Sequence, residues 1–170
     1  MAAKKFLRNV AGRITEIIAT VVSAGAGNDG DIPALDATGK LDSSVMPIGI
    51  GADTKSITAS EALSAGDWVN VWDNAGTLSA RKADATVAGK EADGFVLAAV
   101  TSGNPATVYF EGTNTQNAGL TLGGRYYLHT TAGGETTTAP SASGNVVQYL
   151  GKAISTTEIS FEPDQPITVA

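Results

Sequence analysis

The chain has no cysteine, a single histidine, two tryptophans and two methionines, and no apolar run long enough to cross a bilayer as a helix. The missing thiols exclude disulfides, thiol catalysis, thiolate-bound zinc and iron–sulfur clusters. His129 is the only side chain whose ordinary pKa lies near neutrality, so the stock of acid–base catalysts is thin. Charged residues make up only 16% of the 170, which leaves little for a nucleic-acid interface.

What is abundant points to strands. Twenty glycines punctuate stretches of Ala, Thr, Ser and Val, and 42% hydrophobic content is enough for a packed core. Small and β-branched residues between frequent glycines favour strands and tight turns over long helices. Net charge is −6 but uneven: residues 1–25 carry Lys4, Lys5, Arg8 and Arg13 against Glu16, and the remainder sums to −9. An acidic body repels nucleic acid and keeps a crowded protein in solution.

The basic start followed by Ile14 to Ala26 has the outline of a secretory signal, but Arg13 and Glu16 interrupt its apolar region. A helix over residues 1–25 accounts better for the pattern. Leu7, Val10, Ile14, Ile17 and Val21 are spaced 3, 4, 3 and 4 apart, the a/d seam of two heptads, and isoleucine at such positions favours trimers or higher states. Two heptads are too few to hold a coiled coil alone.

Residues 26–56 read as an extended arm. Pro33 and Pro47 disfavour helix there, and a turn is expected near Thr38-Gly39. From residue 57 to 170 the pattern is β. Trp68-Val69-Asn70-Val71-Trp72 and Val108-Tyr109-Phe110 alternate, while Phe95 to Val100 forms an apolar run suited to a core strand. Tyr126-Tyr127-Leu128 and Val146 to Leu150 follow, with turn signals such as Asp73-Asn74-Ala75-Gly76 between the runs.

An internal repeat runs through this body. A shift of 57 residues lays Leu63 on Leu120, Gly66 on Gly123, Gly76 on Gly133 and Gly94 on Gly151. After a six-residue deletion, Val108-Tyr109-Phe110-Glu111 falls on Ile159-Ser160-Phe161-Glu162. The copies, about 63–111 and 120–162, are too few for a solenoid and imply duplication. Each would be too small to close its edges alone, so a duplicated β-barrel or β-sandwich is expected.

No nucleophile–base–orienter set stands out, and the chain reads as a non-enzyme without cofactor or metal. His129 sits where a strand runs into a turn. Asp29-Gly30-Asp31 lacks the further ligands of a calcium loop. Glu111 and Glu162 look like equivalent strand ends, and the glycines of 119–124 have no basic residue to serve a phosphate. Trp68, Trp72, Tyr126 and Tyr127 read as core and sheet-face aromatics, because the strands around them are not basic enough to track nucleic acid. Carbohydrate binding by an exposed tryptophan stays open.

Two stretches carry a resemblance. Ser23-Ala24-Gly25-Ala26 through Ile32-Pro33-Ala34-Leu35-Asp36-Ala37-Thr38-Gly39-Lys40-Leu41-Asp42 to Met46-Pro47-Ile48-Gly49-Ile50-Gly51, and Gly119-Leu120-Thr121-Leu122-Gly123 with Tyr126-Tyr127-Leu128, Ala132-Gly133-Gly134 and Gln148-Tyr149-Leu150-Gly151, resemble segments of small tailed-phage virion proteins described as head-decoration, head-fibre or tail-fibre proteins. The resemblance implies a homotrimer on the virion surface. It would bind the major capsid protein as a cement protein, or else be a short head or tail fibre that binds a receptor. Neither nucleic acid nor membrane is expected as a partner.

Overall fold

The computed structural model describes residues 5–46 and 51–170, so Lys4 and the 47–50 part of the arm motif lie outside it. The chain divides into two compact units, Met1–Gly51 and Ala52–Ala170.

The expected N-terminal helix is replaced by a β-hairpin. Strand β1 (Lys5–Val10) pairs antiparallel with β2 (Arg13–Ile18), from Lys5 opposite Ile18 to Val10 opposite Arg13. The two residues between them, Ala11 and Gly12, have φ of 49° and 82°, the double positive φ of a type I′ turn. The physical reason for the difference is local. Val10, Ile14, Thr15, Ile17 and Ile18 are β-branched, which lowers helix propensity and suits a pleated strand, and a two-heptad helix has little to offset that.

The arm is folded rather than extended. Thr20 bridges to Pro33 in parallel, donating its N–H to Ile32 (3.0 Å) and accepting from Ala34 (2.8 Å), and Ala34 is buried. Short 3₁₀ turns follow at Gly25–Asn28 and Ser43–Val45. The turn expected near Thr38-Gly39 is present, built on the Asp36 carboxylate, which accepts from the backbone N–H groups of Thr38 (2.7 Å) and Lys40 (3.0 Å).

The body is mainly β. Strands β3 (Thr54–Ala59), β4 (Trp68–Asn74), β5 (Thr77–Lys82), β6 (Gly94–Val96) and β7 (Pro105–Tyr109) close a barrel in the order β3-β5-β4-β6-β7. Strands β8 (Gly112–Asn114), β9 (Arg125–Leu128), β10 (Glu135–Thr136), β12 (Tyr149–Ala153) and β13 (Ile159–Phe161) form a second sheet, ordered β10-β9-β12-β13-β8. A separate pair joins β11 (Val146–Val147) to β14 (Ile167–Thr168).

If β8, β9, β10, β12 and β13 are matched to β3, β4, β5, β6 and β7, the strand order is the same in both copies. Register agrees too. Val69 opposite Gly94 becomes Tyr126 opposite Gly151, and Val96 opposite Val108 becomes Ala153 opposite Ile159. The matched glycines now have a cause. A Cβ on Gly94 would run into the carbonyl oxygen of Tyr109, and one on Gly151 into that of Ser160, the equivalent residue.

The copies differ in closure. In the first, β3 and β5 pair in parallel (Thr58 opposite Ser79, Ala59 opposite Ala80) and complete the ring. In the second, β8 and β10 stand at opposite edges. The core follows from this. Alternation along β4 sends Val69 and Val71 into the barrel, where they meet Ile57, Val96 and Val108, and sends Trp68 outward. Trp68 and its cross-strand neighbour Phe95 pack against the open sheet, among Tyr126, Leu128, Leu150 and Phe161. Ring centroids there lie 5.2 Å apart for Trp68 and Phe161 and 5.7 Å for Trp68 and Phe95. The first copy thus fills the second.

Buried polar contacts lock the copies together. Gln148 pairs with both backbone groups of Ala92 (2.7 and 2.9 Å), Asn114 donates to the Gly66 carbonyl (2.8 Å), and Trp68 Nε1 donates to Glu135 (3.0 Å). The apolar run after Phe95 is only in part a strand. β6 ends at Val96, Ala98 and Ala99 are exposed, and Val100 makes an isolated bridge to Leu63.

Candidate interaction surface

The N-terminal hairpin is the part of the molecule whose sequence and surroundings disagree most. Its period-2 alternation puts Leu7, Ile14 and Ile18 on one face, and Phe6, Val10 and Ile17 on the other. Leu7, Ile14 and Ile18 are 70%, 69% and 61% exposed. Phe6 and Ile17, directly opposite one another, are half-buried, and Arg8 on their face reaches the Gly30 carbonyl of the arm at 3.4 Å. The second face is therefore turned toward the arm, and among the described residues of this unit the first carries only the Lys5–Glu16 ion pair (2.6 Å) beside Leu7.

The five seam residues part company in this arrangement. Leu7 and Ile14 share the bare face, Val10 and Ile17 the other, and Val21 lies beyond β2, half-buried. Ile18 and Val22, both exposed, belong to the same apolar surplus and escaped the heptad reading. The signal that finds them is Ala11-Gly12 between two alternating runs.

The arm behind the hairpin is held by carboxylates rather than by a core. Asp31 accepts from Asn28 (2.9 Å) and Thr20 (2.8 Å), and these bonds, Asn28's first, hold its pKa below the ordinary aspartate value. The Lys40 backbone N–H, followed by Thr38, does the same for Asp36, and Ser44 does it for Asp42. A cleft of about 300 Å³ opens among Thr20, Asn28, Asp31, Pro33, Val45 and Met46. Asp31 therefore serves the arm's own turns.

The other sequence candidates are scattered. His129 follows β9, and its Nδ1 accepts from the Thr131 N–H at 2.7 Å. Glu111 and Glu162 are exposed just past β7 and β13, as equivalent strand ends should be. Trp68 is fully buried, and the Arg81 guanidinium lies 4.5 Å above the ring of Trp72. Tyr126 is buried, and its hydroxyl accepts from the Thr121 N–H at 2.8 Å. Burial raises the pKa of Glu135, which faces Trp68 and has no nucleophile hydrogen-bonded to it. Among the described residues, no three of His, Asp and Glu converge on a metal-sized site, and no helix is long and apolar enough to cross a membrane.

No family model, curated protein or solved structure matches this chain.

Proposed function

We propose that the chain is a structural protein of a tailed-phage particle, a decoration protein that binds the major capsid protein on the assembled head as a homotrimer. The observation that supports this reading best is the bare aliphatic face of a two-stranded sheet. An isolated hairpin is marginal in water, and one exposing Leu7, Ile14 and Ile18 gains stability only when another surface covers it. The aromatic cluster of the body, by contrast, is enclosed within the body itself. Attachment and self-association thus fall to the N-terminal unit. A protein that binds only the assembled shell stabilises that state by mass action, summed over many identical contacts.

The resemblance in the arm and in the β8–β12 region supports the same reading. The test is co-sedimentation of the purified chain with shells that lack it. Introducing Leu7→Asp, Ile14→Asp and Ile18→Asp together is expected to weaken shell binding by at least about a hundredfold, since each buried aliphatic contributes about 1.5–3 kcal/mol. The thermal transition of the body should not move. Undiminished binding of the triple variant would contradict the assignment.

A further inference from the structure

The outer face of the second sheet differs in kind from that of the first. Where the barrel presents Trp68 and Phe95, which the open sheet covers, the equivalent positions hold Arg125 and Lys152, and both are exposed. On the same face Tyr127 and Tyr149 stand directly opposite across β9 and β12, half-buried, with ring centroids 5.8 Å apart and planes inclined at 68°. A bulge between Tyr149 and Gly151 keeps Tyr149 on the outer side while Leu150 points into the core. Asp164, on the segment after β13, completes an open cleft of about 200 Å³ lined by Arg125, Tyr127, Tyr149 and Asp164.

None of these four side chains makes a hydrogen bond or ion pair within the described chain, whereas Tyr126, Gln148, Lys82 and Lys90 elsewhere in the body are paired. The cleft therefore combines two ring surfaces at an angle with a guanidinium donor, a carboxylate acceptor and two hydroxyls, all free for a ligand. That set suits a molecule with an apolar face rimmed by hydroxyls. It suits nucleic acid poorly, since the carboxylate of Asp164 lines the cleft and the body is acidic. The volume falls short of the roughly 300 Å³ at which drug-sized pockets begin, and fits a single ring.

The geometry points to a carbohydrate subsite on the outer face of the second sheet, taking one neutral hexose or N-acetylhexosamine unit of a glycan, with Tyr127 and Tyr149 as the platform and Arg125 and Asp164 as the hydroxyl partners. This site is independent of the N-terminal surface and of how the chain attaches to a particle. Affinity for one such unit should be in the millimolar range.

The test is a titration of the full chain with maltotriose, cellotriose and chitotriose, read from the ring proton signals of Tyr127 and Tyr149. At least one sugar should shift both rings and leave Trp72 unmoved. Arg125→Ala, an exposed change that spares the fold, should weaken that binding about tenfold, and Tyr127→Ala should abolish it. If Tyr127→Ala fails to fold, the Arg125 variant carries the decision. No shift with any of the three sugars, or shifts unchanged by Arg125→Ala, would overturn the proposal.

Discussion

The two copies in the body share strand order, four antiparallel pairings and the registers around Gly94 and Gly151, yet one is a closed barrel and the other an open sheet. The closed copy packs aliphatics inward, with Val69, Val96 and Val108 at its centre. At the equivalent positions the open copy carries Tyr126, Ala153 and Ile159, which pack on the Trp68–Phe95 pair of its neighbour. A shared backbone plan thus yields two different solutions to the same problem of unpaired edges and an uncovered face. The first closes on itself, and the second closes around the first. The copies are consequently expected to fold and unfold as one unit.

The largest expected break in this comparison is Trp68→Ala. It takes the largest ring out of the cluster between the copies and removes the donor to Glu135 while leaving the barrel interior untouched. A loss of about 3–5 kcal/mol is expected, read by chemical denaturation. If the two copies are one unit, a single transition shifts; two separated transitions would show that they are independent.

A smaller effect sharpens the comparison. Gly94→Ala and Gly151→Ala each drive a Cβ against a backbone carbonyl at equivalent points, so each should cost at least about 1–3 kcal/mol despite adding one methyl. Similar losses from both would support the shared register. A neutral change at either position would contradict it.

The smallest effect is electrostatic and belongs to the contact between copies. Burial raises the Glu135 pKa, with Asp67 adding to it and the Trp68 hydrogen bond opposing it. The folded state therefore holds this proton more tightly than the unfolded chain, and stability falls as pH rises from the ordinary glutamate range through the raised value. Glu135→Gln keeps an acceptor for Trp68 and removes that slope. A slightly higher melting temperature at neutral pH is expected, with the difference from the parent vanishing in acid.

The body was legible in the sequence where residue type and spacing carry a mechanism. Asp73-Asn74-Ala75-Gly76 marks the β4–β5 hairpin, whose Ala75 and Gly76 have φ of 53° and 87°. The 57-residue shift lays Gly94 on Gly151, and close backbone approach requires a glycine at both sites. It could not reveal which copy closes, since that depends on a parallel pairing between strands distant in sequence.

The N-terminal hairpin is not legible in the sequence because Leu7, Val10, Ile14 and Ile17 satisfy a 3.5-residue period and also two strands of period 2 separated by a turn. Ala-Gly is a quieter turn signal than Asn-Gly. The arm's fold rests on the carboxylates of Asp31, Asp36 and Asp42 bonding nearby backbone and side chains, which composition does not distinguish from a solvated loop. The Tyr127–Tyr149 pair was hidden for a further reason, since a bulge sets which of the residues 149–152 face outward.

The most direct test of the proposed role is the number of copies of this chain per purified phage particle, measured against the major capsid protein. Decoration predicts a number approaching that of the shell subunits, or of the three-fold positions between them. A handful of copies would contradict it in favour of a fibre at a unique site, and none would remove the chain from the particle.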